Sequence, residues 1–148
     1  MTLSSQQFTN YNPDQVMVTF ADSLLGGWAD GSFIKVRMLS PGFTSKAGAD
    51  GLVSHTRSND PRVEIELTFM AGSQSNDILS TVHEADLQAN NGAGVGPFTM
   101  TDLNGTSLLE CTYARIMKSP DEEFAKDNDG DRVWVIEGIK AKRVVGGR

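Results

Sequence analysis

The stretch 62–92, RVEIELTFMAGSQSNDILSTVHEADLQANNG, changes its hydrophobic period partway, and no other feature of the 148-residue chain restricts the fold as much. Val63, Ile65, Leu67 and Phe69 alternate with Glu64, Glu66 and Thr68, the period of a strand with one buried face. Beyond Ala71-Gly72-Ser73 the period lengthens. Ile78, Val82, Ala85 and Ala89 recur at helical spacing, and Leu79 widens the stripe. Ser75 is the candidate N-cap, Asp77 suits the positive end of the helix dipole, and Gly92 is placed to close the helix left-handed after Asn90-Asn91. A strand, a tight turn and one helix lying on a sheet are expected. On that stripe His83 falls on the solvent or interface side.

The remaining elements are strands. Val16, Val18 and Phe20 open one that is expected to run on through Leu24-Leu25 to Trp28, with a bulge at Gly26-Gly27. Asp30-Gly31 is a hairpin signal leading into a second strand, Phe33 to Leu39. Phe98 to Asp102 and Ser107 to Met117 flank a second hairpin signal, Asn104-Gly105. Arg132 to Val145 is a long last strand, apolar on both faces near Trp134-Ile136, which calls for a sandwich interior or a partner. The pattern predicts a mainly β fold with one helix: an antiparallel β-sandwich or barrel flanked by an α-helix, in one domain over 1–148.

Between the second and third strands lies Pro41 to Pro61, long, polar and glycine-bearing. Connections of this length without regular structure are uncommon in compact domains and are usually functional or flexible. Folded back on itself, residues 42–60 would project on the order of 30 Å at about 3.3 Å per residue, enough to reach another subunit. A solvated surface loop is the plainer alternative.

Charge and composition exclude several classes. Nineteen acidic against thirteen basic residues give −6, a poor balance for gripping nucleic acid. The segment 118–131 is acidic and 132–148 basic, an arrangement suited to contact between copies of one chain, or to a solvated loop and strand. Cys111 is the one cysteine, so no intrachain disulfide is possible, and its place in LLECTY reads as a small buried apolar residue. The N-terminal segment lacks the pattern of a signal peptide, no apolar run reaches a membrane span, and a soluble chain made inside the cell is expected. Met1 to Asn12 is polar, a loose end or an arm on a neighbour.

No catalytic or metal constellation is visible. His55 and His83 stand outside any ligand or triad spacing. Asp127-Asn128-Asp129-Gly130-Asp131 fails the order of an EF-hand loop and reads as a polar turn. Glu64 and Glu66 share a strand face but have no nucleophile or oxyanion donor nearby in sequence. No cofactor and no enzyme activity are expected.

Six segments, in order and spacing, carry a resemblance: GWADGSFIKVR, GADGLVSHTRSNDPRVEIELTF, GSQSNDILS, TDLNGTSLLE, IMKSPDEEFAKD and VWVIEG. Together they resemble the tail tube proteins of contractile-tailed bacteriophages, over roughly Val16 to Gly138. The resemblance implies a virion protein of the phage tail, made in the host cytoplasm, that forms hexameric rings stacked into a hollow tube. It implies a sheath outside, and a tape-measure protein and passing DNA inside, with no membrane insertion. The loop 42–60 takes the place of an inter-ring bridge, which puts Phe43, Lys46, His55 and Arg57 at that contact. Glu64 and Glu66 would face the lumen, where an acidic wall repels phosphate within a Debye length of about 8 Å. Another tail or neck ring component and a type VI secretion tube remain as alternatives. A monomeric β-barrel that binds a small ligand is the alternative from another class.

Overall fold

The alternation at 63–70 folds as expected and forms the spine of the molecule. A computed structural model describes residues 16–89, 91–103, 105–122, 124 and 130–146. In chain order these form β1 (Val16–Phe20), β2 (Ser23–Leu25), β3 (Ile34–Met38), β4 (Phe43–Ala47), β5 (Val53–Arg57) and β6 (Val63–Met70). The helix α1 (Gln74–Ala89) follows, then β7 (Gly96–Asp102), β8 (Leu108–Lys118) and β9 (Asp131–Val144). Seven strands make one antiparallel sheet in the order β2-β1-β7-β8-β9-β6-β3, while β4 and β5 pair with each other. The architecture is mainly β, antiparallel, with one helix.

A single sheet with one apolar face must cover that face, and this one curls to do so. Val63, Ile65, Leu67 and Phe69 of β6, Phe20 of β1, Phe98 of β7, Leu109 of β8 and Ile136 of β9 are all completely buried in one cluster with Leu79 of α1. The two ends of the sheet meet across a groove lined by Val16, Met100 and Asp102 on one side and Phe33, Ile34 and Val36 on the other. The connection 26–33 crosses between those ends. Trp28 bridges to Phe69, stacks on its ring at 4.6 Å, and lies 5.3 Å from Phe33.

Several sequence expectations give way here. The first strand does not continue to Trp28. It turns back at Ala21 and Asp22, whose φ values of 50° and 67° supply the positive pair a two-residue hairpin needs. Nor do the strands around Asp30-Gly31 form a hairpin, because the Trp28 segment leaves β2 and joins the end of β6 instead. The cap of α1 is Ser73, whose Oγ accepts from the Ser75 N–H at 3.2 Å. Ser75 is buried and turned toward Gly26, accepting its N–H and donating to its carbonyl, both at 2.8 Å.

The helix also presents a rotated stripe. Ser75 and Leu79 are buried and Ile78, Val82, His83 and Asp86 half-buried, whereas Ala85 and Ala89 are exposed. His83 therefore lies against the protein rather than in solvent, and its Nδ1 is buried with no hydrogen-bond partner among the described residues. Gly92, at φ 78°, takes the left-handed turn expected after the helix. The long segment after Pro41 is a regular hairpin, not an irregular loop. The N-terminal arm, Asn90, Asn104, residues 123 and 125–129 of the acidic loop with Asp127-Asn128-Asp129, and the last two residues lie outside the described residues.

Candidate assembly surfaces

Every residue of β4 and β5 is exposed on both faces. The register pairs Phe43 with Arg57, Ser45 with His55 and Ala47 with Val53, so these six share one face; Thr44, Thr56, Lys46 and Ser54 share the other. Of the four residues singled out in this loop, the hairpin brings Phe43, His55 and Arg57 together and puts Lys46 behind them. Phe43 is 68% exposed, Val53 56%, and Leu52 at the tip 73%. A two-stranded hairpin is marginal in water without a surface to pack on. The hairpin thus leaves three large apolar side chains, Phe43, Val53 and Leu52, open to solvent beside the polar Ser45, His55 and Arg57, which makes it a candidate contact surface.

Local bonds stiffen both ends of the hairpin. At the tip the Gly48 N–H donates to the Leu52 carbonyl at 2.7 Å, and the Leu52 N–H donates to Asp50 Oδ1 at 3.1 Å. At the base the Ser58 N–H donates to the Gly42 carbonyl at 2.8 Å, and the Ser40 and Ser58 hydroxyls meet at 3.1 Å. Just beyond, Arg62 grips Asp60 through Nε and Nη2 at 2.7 and 2.8 Å. That hydrogen-bonded pair holds the Asp60 carboxyl below, and the Arg62 guanidinium above, their ordinary ranges.

Glu64, Glu66 and Thr68 occupy the face of β6 turned away from the core, half-buried. Their neighbours change the electrostatic picture. Glu64 Oε2 accepts from Arg37 Nη2 at 2.7 Å, a bond that raises the Arg37 pKa. Across the same strands Lys35 stands opposite Glu66, and on the other side of β6 Glu137 stands opposite Glu64 and Arg115 opposite Glu137. The outer face is a belt of alternating charge rather than an acidic wall. Cross-strand pairing makes this so, and strand spacing along one chain does not reveal it.

On β9 that same outer face carries Val133, Val135, Glu137 and Ile139, with Val133 and Ile139 exposed. The apolar character of both faces of the last strand is thus real, but the described residues of the chain leave one face open. Beside it, β8 and β9 each carry an extra residue, so the core face skips from Cys111 to Ala114 and from Gly138 to Ala141. Lys140 takes φ 53° at this bulge, and its Nζ lies 5.6 Å from the Tyr113 ring centre. The distortion opens a groove of about 430 Å³ lined by Val95, Tyr113, Ala114, Arg115, Met117, Glu137 and Ile139. Nothing in the local composition of TYARIM or EGIKAK signals it.

No group of three or more His, Cys, Asp or Glu side chains is placed to hold a metal among the described residues. No described helix is long and apolar enough to cross a membrane. Cys111 is buried, and burial pushes its thiol up to about 11. His55 stays on the hairpin and His83 on the helix, in separate elements.

No protein-family profile matches the chain. A curated relative, "Structural protein ORF10" of Pseudomonas phage KPP10, is 27% identical over 134 residues, covering 86% of this chain and 77% of its own length. Among solved structures, a chain of the "Virion of native gene transfer agent (GTA) particle" superposes with a TM-score of 0.56 over 92% of this chain and 100% of its own, at 7% identity. At that identity the likeness is one of fold.

Proposed function

We propose that the chain is a structural subunit of a phage-type virion, and specifically of its tail tube, where it assembles into stacked, six-membered rings that conduct DNA. The observation that carries this reading is the β4–β5 hairpin, a regular element whose Phe43, Leu52 and Val53 stay open to solvent among the described residues. Such an element is suited to contact with another chain. The phage relative is named a structural protein, and the virion chain shares the fold, so a repeated structural role is the reading both favour. In this assembly the hairpin bridges stacked rings, a sheath surrounds the tube, and a tape-measure protein and then DNA occupy its channel.

Glu64 and Glu66 would line that channel. Their service there differs from simple repulsion. A phosphate backbone is held by cations free to contact it. Arg37 is occupied by Glu64, and Lys35 faces Glu66 across the strand pair. Paired charges on the wall would leave passing DNA few sites to adhere to.

The hairpin's role has a direct test. Gly42 and Ser58 are already hydrogen-bonded at the base, so residues 43–57 can be replaced by a two-residue turn without disturbing the main sheet. The shortened chain should melt at the parent temperature and form no tubes under the electron microscope. Normal tubes from it would remove the hairpin from the assembly.

A further inference from the structure

We infer that the groove between the β1–β2 hairpin and the crossing segment 26–33 receives the β4–β5 hairpin of a second copy of this chain, with Phe43 and Val53 against Leu24 and Trp28 and Arg57 on Asp30. This rests on the tail-tube reading and adds the receiving surface to it. The groove has a volume of about 770 Å³, and Met17, Leu24, Trp28 and Phe33 form its apolar walls around one carboxylate, Asp30. Leu24 is 61% exposed, so apolar surface lies open at the groove as it does on the hairpin. On the hairpin, Phe43 stands in register with Arg57, and Val53 shares their face.

Position and charge both select this surface. The hairpin leaves the main sheet at one end of β6, where the Leu39 N–H donates to the Arg62 carbonyl at 3.2 Å. The groove lies at the other end, where the Met70 N–H donates to the Gly27 carbonyl at 3.0 Å and the Ala29 N–H to the Thr68 carbonyl at 3.1 Å. At about 3.4 Å per residue, the eight residues of β6 set the two about 25 Å apart. A projection at one end and a receptacle at the other make a heterologous contact, which propagates from copy to copy along the strand direction. Trp28 stacks on Phe69, on the core side of β6, so a hairpin seated here leaves the opposite face of Glu64 and Glu66 clear. Among the described residues, neither Arg57 nor Asp30 takes an ion pair or a side-chain hydrogen bond, and no cation lines the groove. Arg143, in the adjoining groove, donates to the Val36 carbonyl at 3.3 Å. Asp30 is thus open to an incoming guanidinium, whose planar fork suits a carboxylate.

The test uses the full-length chain and cysteine pairs. In a Cys111→Ala background, Val53→Cys and Leu24→Cys chains are purified separately, one of them carrying a size tag, then mixed and oxidised. The disulfide-linked heterodimer should exceed either homodimer about tenfold. In parallel, sedimentation gives the concentration at which each variant forms tubes. Arg57→Glu and Asp30→Arg should each raise it about tenfold, and the two together should recover most of the loss. A chain carrying Phe8→Cys and Leu24→Cys that closes on itself, with no heterodimer in the mixture, would put the chain's own N-terminal segment in the groove and overturn the inference. Tubes that form without the cross-link, and are indifferent to Asp30→Arg, would overturn the groove while leaving the tube reading intact. A parent chain that never self-associates would overturn both.

Discussion

Replacing Phe43 with threonine separates folding from assembly. Threonine preserves strand propensity, so the hairpin itself should persist. With roughly 200 Å² for a phenylalanine side chain, the 68% left open amounts to about 140 Å², worth about 3 kcal/mol on covering at about 25 cal/mol per Å². Ordering the hairpin and imperfect packing reduce that, so about 1.5–3 kcal/mol per contact is the expected loss, a factor of about 10–100 in association. The isolated chain, in which Phe43 is already solvated, should change by less than about 0.5 kcal/mol. Thermal melts by circular dichroism read the change in the isolated chain, and sedimentation across a concentration series reads the change in association. A melting temperature lowered by several degrees with association unchanged would refute the reasoning, because Phe43 would then be packing within its own chain.

Other residues make equally definite predictions. Gly138→Ala places a methyl group against Cys111 Sγ and 3.0 Å from Val63 Cγ2, and should destabilise by about 1–3 kcal/mol in urea titrations; adding Cys111→Ala should return part of that loss. Ser75→Ala removes the acceptor of the Gly26 N–H and should lower stability by about 1–3 kcal/mol without altering the helix content measured by circular dichroism. Cys111 ionises near 9.0 when unfolded and about 11 when folded, so the unfolded chain releases its proton first and stability falls as pH rises through that window. The difference between the parent and Cys111→Ala melting curves should therefore narrow between pH 9 and 11, and a constant difference would contradict the burial of the thiol.

The parts of the fold that were legible in the sequence are those fixed by local period. The strand at 63–70 is legible because both of its faces keep their character from Val63 to Phe69, and the helix because the period change follows at once. What failed depended on distant partners. Ala21-Asp22 carries no glycine or asparagine, yet turns because β2 gains pairing with β1. The Asp30-Gly31 signal is sound as a bend, but Trp28 finds a better surface on Phe69, and the hairpin it advertised does not form. The helix stripe was misplaced by one position because alanines at 85 and 89 fit either face, whereas Leu79 and the Gly26 contacts of Ser75 settle the rotation.

The candidate surfaces divide in the same way. Exposure of the loop after Pro41 follows from its polarity, but its hairpin register, and hence the grouping of Phe43 with Arg57, comes from five cross-strand pairs. Glu64 and Glu66 could be assigned to the outer face of their strand by parity alone. The ion pair of Glu64 with Arg37 and the placement of Lys35 opposite Glu66 could not, since they depend on which strand becomes the neighbour. The groove at Tyr113 and Ile139 depends on matched extra residues in two strands, a feature of pairing with no composition of its own.

Cryo-electron microscopy of the purified chain at rising concentration tests the central claim most directly. The account predicts stacked rings of six copies, with the β4–β5 hairpin at the contact between copies and the Glu64–Glu66 face of β6 toward the channel. A chain that stays monomeric at every concentration, with no rings in any class of particle, would contradict it.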